Sequence, residues 1–231
     1  MKDFKKHTTI VFIIITVLFL YGIICKRYDW MQIMALSFSV YWLIVIANAL
    51  FNGNEISVKN EFYRPFVSIL IPARNEENVI AKTVLSLSRI KYFKKGDKHF
   101  EIIVIDDGST DLTGKILKDL MGSVNELKIV TIPEDESGKG KSRALNIALE
   151  HAQGEIIAVF DADSRVDEFF LKDAVSYLYD DRVAGVQARV RIYNAGENMV
   201  SGFQEDEFAV YSHLLQTGRQ AIGGMTSLGG N

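Results

Sequence analysis

From residue 66 onward, short apolar runs alternate with stretches whose apolar residues recur at helical spacing, and this alternation constrains the fold more than any other feature. Residues 67–71, 101–105, 127–132, 156–160 and 183–192 read as strands, with Pro72 ending the first. Between and after them, 76–87, 112–120, 141–151, 166–179 and 205–216 read as helices. The first carries Val79, Ile80, Val84 and Leu87 on one face. Ser109, Thr110 or Asp111 is placed to cap the second. A strand–helix order of this kind predicts an α/β fold: a mostly parallel sheet flanked by helices on both faces.

The chain before residue 66 is built differently. Residues 8–25 are uncharged and apolar, about the length that crosses a bilayer. Lys26, Arg27 and Asp29 interrupt them, and 31–51 form a second uncharged run. The pattern predicts a transmembrane helical hairpin over 1–51, a linker over 52–65 that opens with Asn52-Gly53-Asn54-Glu55, and an α/β domain over 66–231. A secretory signal peptide fits less well. The first run is long for one, no small-x-small cleavage site follows, Ile24 before Cys25 makes a poor lipoprotein site, and a second apolar run comes next. Lys2, Lys5 and Lys6 before the first span put the amino end, and with two spans the domain, on the cytoplasmic side. Lys26 and Arg27 in the link pull the other way. The formal net charge of −3 and the lack of a basic arm give no reason to expect a nucleic-acid partner. The single cysteine, Cys25, precludes an intrachain disulfide and agrees with a reducing compartment.

In open parallel sheets, ligands bind outside the carboxyl ends of the strands. Three strand ends here deliver polar groups: Pro72-Ala73-Arg74-Asn75-Glu76, Asp106-Asp107-Gly108-Ser109 and Asp161-Ala162-Asp163. Two carboxylates in one short loop repel each other unless a cation lies beside them. A hard divalent ion such as Mg2+ or Mn2+ takes oxygen ligands and is often shared with phosphates. Asp161 and Asp163 therefore read as a metal and diphosphate site; alternatively, Asp163 or Ser164 caps the helix that follows. A carboxylate of the Asp106–Asp107 pair is suited to accept from an imide N–H such as uracil presents, and Gly108 permits a tight turn. Ser137-Gly138-Lys139-Gly140-Lys141-Ser142 is not a P-loop, because Asp135 stands where that motif needs glycine. A Gly/Lys loop that opens a helix still offers Lys139, Lys141 and backbone N–H groups to a diphosphate. Arg189 and Arg191 alternate along the last predicted strand and would share one side of it. His151 and His213 carry no pattern of a triad or zinc site.

Together these residues resemble the family 2 inverting glycosyltransferases, which have the GT-A fold. The matching stretches are Val67 to Glu77, Ile105 to Asp111, Gly140-Lys141 with Ala144-Leu145-Asn146, and Phe160-Asp161-Ala162-Asp163. The resemblance implies transfer of a sugar, with inversion, from a nucleotide-diphospho-sugar, expected to be a UDP-sugar, to a polysaccharide or lipid acceptor. It implies that Pro72, Arg74, Glu76, Asp106 and Asp107 line the nucleoside, that Lys141 lies near the diphosphate, and that Asp161 and Asp163 serve ribose and metal. It also implies that Gly218-Arg219-Gln220 and Leu228 to Asn231 line the acceptor side. Members with membrane spans build polysaccharides or glycolipids at the cytosolic face.

One feature of the family has no counterpart. Inverting transfer needs a general base, which the family carries in a Glu-Asp pair well downstream of the second aspartate of the metal motif. Glu205, Asp206 and Glu207 come too early and fall on a predicted helix. The base is therefore expected beyond Asn231, and the sequence is expected to be a fragment of a longer enzyme that retains donor binding. Two other readings share the motifs: a nucleotide-sugar-binding module without catalysis, and a nucleotidyltransferase, which would release pyrophosphate.

Overall fold

The computed structural model describes residues 17, 20–22, 29–52, 59–188, 190–192 and 195–222. The chain divides into two units, Met1–Glu55 with Arg189–Ser227 and Ile56–Ala188 with Leu228–Asn231. Arg189–Ser227 thus groups with the amino-terminal segment rather than with the α/β sheet.

In the first unit, helix α1 (Trp30–Asn52) contains the second predicted span. Its 21 residues Met31–Phe51 are long and apolar enough to cross a membrane and are mostly exposed. Asp29 starts it: Gln32 N–H donates to Asp29 Oδ1 at 2.8 Å, and Asp29 N–H donates back to Gln32 Oε1 at 3.3 Å, a reciprocal cap. The first predicted span falls almost wholly outside the described residues.

The second unit holds the sheet. Strand β1 (Val67–Ala73) leads through helix α2 (Ile80–Ser88) and a hairpin, β2 (Phe93–Lys94) with β3 (Asp97–Lys98), into β4 (Phe100–Asp107). Helix α3 (Thr113–Met121), β5 (Leu127–Ile132), α4 (Lys141–His151), β6 (Ile156–Val159) and α5 (Phe170–Tyr177) follow. The four long strands are parallel in the order β5-β4-β1-β6. Central β1 and β4 are buried on both faces, which explains why they read as unbroken apolar runs rather than alternating ones. Ile69, Ile71, Ile102 and Val104 pack toward Val84 and Leu87 of α2, Leu117 of α3 and Val175 of α5. Leu70, Ile103 and Ile105 point the other way, onto Ala144 and Ala148 of α4. Each large aliphatic side chain fully buried here contributes about 1.5–3 kcal/mol.

Pro72 does not end β1. The strand runs on to Ala73, with Pro72 paired in register with Ile105. Its pairing with β6 stops at Leu70 and Val159, so Pro72 lies where one side of the strand has no neighbour, and its missing N–H leaves no gap in the ladder. Residues 183–192 do not form the predicted fifth strand. Among the described residues 183–188 have no sheet partner, and Arg189 lies outside them. Gly185 and the alanines at 184 and 188 dilute the β-branched pattern, and without a neighbour the backbone has no ladder to join. Two helices start later than predicted. Residues 76–79 form a turn, with Glu76 C=O accepting from Val79 and Ile80 N–H groups. Residues 164–167 have no regular structure and run beside α2, where Ser86 bonds Val166, and 168–169 form a turn, so α5 begins at Phe170 rather than at 166. The β2–β3 hairpin was not predicted; its turn residues Lys95 and Gly96 both have positive φ, the signature of a tight two-residue hairpin loop.

The predicted 205–216 helix begins earlier, as α6 (Met199–Ala209), where Asn198 Oδ1 caps Ser201 N–H at 2.9 Å. It continues through a π-helical stretch, Val210–Gln216, into α7 (Thr217–Ala221). Within this first unit Gly218 sits against the Val45 backbone so closely that any Cβ would collide, and the Arg219 guanidinium lies 5.5 Å over the Trp42 ring.

Candidate functional site

A cleft of about 450 Å3 opens at the carboxyl end of the sheet. Pro72, Ala73, Arg74 and Glu76 come from the end of β1, Asp107 from β4, and Asp161, Ala162 and Asp163 from the loop after β6. Gly138, Gly140, Lys141 and Ala144 come from the start of α4 and the loop before it. Of the residues predicted for the site, Pro72, Arg74, Glu76, Asp107, Lys141, Asp161 and Asp163 meet here. Asp106 does not line the cleft. Neighbours along a strand face opposite sides, and Asp106 is buried, accepting Ser109 N–H at 3.0 Å, with its Oδ2 close to Gly114.

The rim is held by a lacework between the β1–α2 and β4–α3 loops. Asn75 adopts a left-handed conformation, φ 56°, and its Oδ1 accepts Thr110 N–H at 2.9 Å while its own N–H donates to Ser109 Oγ at 3.0 Å. Glu76 N–H donates to Thr113 Oγ1 at 2.8 Å, and Leu112 N–H donates to Glu77 Oε2 at 2.9 Å. Asp111 accepts from Thr113 N–H at 2.9 Å and from Glu77 N–H at 3.2 Å. Ser109, Thr110 and Asp111 thus join two strand ends as well as opening α3. Their sequence signal suggested capping alone.

The helix-cap reading of Asp163 fails geometrically, since the next helix begins at Phe170 and Asp167 Oδ1 accepts Phe169 N–H at 2.8 Å just before it. The 161–163 loop is oriented instead by Thr83, whose Oγ1 donates to the Ala162 carbonyl at 2.6 Å. Lys141 Nζ forms an ion pair with Asp161. Asp163 is exposed, and no described residue donates to its carboxylate. Burial, and then the negative charges of Asp163, Asp111 and Asp161, raise the affinity of Glu76 for its proton above that of an ordinary glutamate.

The loop between β5 and α4 brings backbone N–H groups to the same cleft. A 3-10 turn, Glu134–Glu136, precedes Gly138 (φ 72°) and Gly140 (φ 97°), both in the region that favours glycine. Gly140 opens α4, so the positive end of that helix faces the cleft beside Lys141. Gly108 (φ 65°) makes the close approach its sequence position suggested: a Cβ there would strike the Ser137 side chain.

Among the described residues no three His, Cys, Asp or Glu side chains are gathered as a ready-made metal cage. The donor set nevertheless fits a hard divalent ion. The Glu76, Asp161 and Asp163 carboxylates that line the cleft offer the oxygen ligands such an ion takes.

Among the other groups considered from sequence, His151 is the last residue of α4; the His213 side chain, Cys25 and residues 228–231 lie outside the described residues. In the first unit, Arg191 donates to Glu205 Oε1 at 3.0 Å, and Ile192 N–H donates to Glu205 Oε2 at 2.6 Å. That backbone bond, followed by Arg191, holds the Glu205 carboxyl below its ordinary range.

Comparison with known proteins agrees with this architecture. The "Glycosyl transferase family 2" model matches residues 68–222. The β-monoglucosyldiacylglycerol synthase of Nostoc sp. (strain PCC 7120) is 42% identical over 167 residues, covering 72% of this chain and 35% of that one. The probable glycosyltransferase YdaM of Bacillus subtilis is 35% identical over 156 residues, covering 67% of this chain and 36% of that one. A mannosyltransferase from Pyrobaculum calidifontis, solved with GDP-Man and Mn2+, superimposes with a TM-score of 0.58 at 28% identity. The match covers 67% of this chain and 44% of that one. The chain spans about a third of the length of such curated relatives. With its GT-A-like sheet and this match over residues 68–222, the chain belongs to glycosyl transferase family 2.

Proposed function

We propose that the cleft binds a nucleotide-diphospho-sugar, a UDP-sugar in the first instance, as the donor half of an inverting glycosyltransferase. The observation that carries this is the convergence of Asp107, Glu76, Asp161, Asp163, Lys141 and the α4 amino end on one rim. The nucleobase end lies toward Pro72, Arg74 and Asp107. The diphosphate lies toward Lys141 and the backbone of Gly140, where the helix dipole and an ammonium favour negative charge. Asp161 and Asp163 would hold Mg2+ or Mn2+, which supplies positive charge to the donor phosphates. Support for the metal comes from the mannosyltransferase neighbour, solved with a nucleotide sugar and Mn2+.

The proposed acceptor is a lipid or a growing polysaccharide, since a relative sharing 42% of aligned residues is a synthase of a glucosyldiacylglycerol. The proposed setting is the membrane, with the α/β unit on the cytoplasmic side; α1 and the amino-terminal lysines favour it. Donor binding is the part of the reaction that these residues explain.

Calorimetry of the detergent-solubilised chain with UDP-glucose, GDP-mannose and UTP tests the reading. A UDP-sugar should bind in the presence of Mn2+, and Asp163→Ala should weaken that binding by about 10-fold or more, which is 1.4 kcal/mol. Unchanged affinity in Asp163→Ala removes that residue from the metal site. Pyrophosphate release from UTP would instead favour a nucleotidyltransferase.

A further inference from the structure

Asp107 is not idle in the absence of a nucleotide. Gly138 N–H points at its carboxylate, 3.2 Å from each oxygen. A backbone amide N–H is the same kind of donor that a base with an imide N–H offers. Three further contacts hold the Glu134–Gly140 segment in that position. Arg143 binds Glu136 through both its carbonyl and its carboxylate, the latter at 3.0 Å. Ser137 Oγ donates to the Glu134 carbonyl at 2.8 Å, and the Ser137 side chain fills the space above Gly108. The Arg74 guanidinium lies so close to Gly138 that a Cβ there would collide with it.

We propose that the loop from Glu134 to Gly140 is an autoinhibitory cover over the nucleobase end of the cleft, in which Gly138 N–H occupies Asp107 until the base displaces it. The inference rests on the donor reading given above. Gly138 N–H is centred between the two oxygens, the position from which a base N–H would also reach both, so the base must move it aside to take that position. Apparent affinity is then the intrinsic affinity reduced by the fraction of molecules whose loop is open. Loosening the loop should therefore tighten nucleotide binding, the opposite of what loss of a ligand-holding loop would do.

Gly138→Ala tests this, since alanine disfavours the φ of 72° that the closed loop requires. Affinity for UDP should rise by about 3- to 10-fold, and affinity for uridine, which lacks phosphates, should rise by the same factor. Arg143→Ala removes both bonds to Glu136 without touching a cleft-lining residue, and should act in the same direction if Gly138→Ala does not fold. In the wild-type chain, hydrogen exchange across 134–140 should speed up when UDP binds. Weaker binding in both variants, with slower loop exchange on UDP addition, would overturn the cover and make the loop a clasp on the nucleotide. If wild type binds neither UDP nor uridine, the donor reading itself fails, a result distinct from either loop outcome.

Discussion

Two acidic regions sit at opposite ends of the same sheet, and they are treated in opposite ways. At the amino end, Glu101 of β4 is buried at 4% exposure. Its carboxylate accepts from Ser68 Oγ and from Gln153 N–H at 2.8 Å, and Lys128 Nζ lies 2.6 Å from the other oxygen. Burial pushes its proton affinity up, but Lys128, Ser68 and the Gln153 amide outweigh burial and hold the carboxyl below its ordinary range. At the carboxyl end, Glu76 faces Asp163, Asp111 and Asp161, and its proton affinity is raised. The first acid is satisfied by the protein and joins β1, β4, β5 and the α4–β6 connection. The second group is held less completely: Lys141 pairs with Asp161 and backbone N–H groups donate to Asp111, while no described residue donates to the exposed Asp163 carboxylate. The contrast separates an acid that holds the fold from acids that await a ligand.

The comparison predicts effects of opposite sign, starting with the largest. Glu101→Ala should destabilise the chain by about 1–3 kcal/mol, because it removes the acceptor of the buried Ser68 hydroxyl and the partner of Lys128 and the Gln153 N–H. Its denaturation midpoint should fall while nucleotide affinity of the folded fraction stays unchanged; equal stability would make Glu101 a bystander. Asp163→Ala should reverse that pattern, with metal-dependent UDP binding lost and the denaturation midpoint unmoved. Glu76→Gln should raise ligand-free stability near neutral pH, by less than about 1 kcal/mol, because it removes a charge repelled by its neighbours. A lower midpoint in that variant would contradict the repulsion.

The pH dependence separates the same two residues. The folded proton affinity of Glu101 is depressed, so its contribution is present above about 4.5, the ordinary glutamate value, and is lost as pH falls through its lower folded value. Glu76 is raised, so its contribution is full below about 4.5 and is lost as pH rises through its folded value. Acid titration should therefore flatten on the low-pH side in Glu101→Ala and on the higher side in Glu76→Gln, read from denaturation midpoints between pH 3 and 7.

The carboxyl end was the more legible of the two in sequence. Unbroken apolar runs announced β1 and β4, and polar residues immediately after them could only fall at strand ends. Hence Asp107, Asp161, Asp163 and Arg74 were expected at one rim from order, and they line one cleft together with Lys141, which opens α4. Asp106 was not separated from Asp107, since that distinction depends on how far β4 extends. Glu101 was invisible, because its partners Ser68, Lys128 and Gln153 come from three distant segments. The β2–β3 hairpin escaped because its signal, Lys95-Gly96, is a single dipeptide with very short flanks. Residues 183–192 misled because the alternation of Val186, Ala188, Val190 and Ile192 with polar residues mimics a strand whether or not a neighbouring strand is there to pair.

The central claim is that the carboxyl-end acids await a cation carried with a nucleoside diphosphate. Titrating UDP into the wild-type chain by calorimetry, first in Mn2+ and then after its removal by chelation, tests this most directly. Binding that is present with Mn2+ and at least about 10-fold weaker without it, a difference of 1.4 kcal/mol, is the predicted result. Equal binding in both conditions, or none in either, would contradict it.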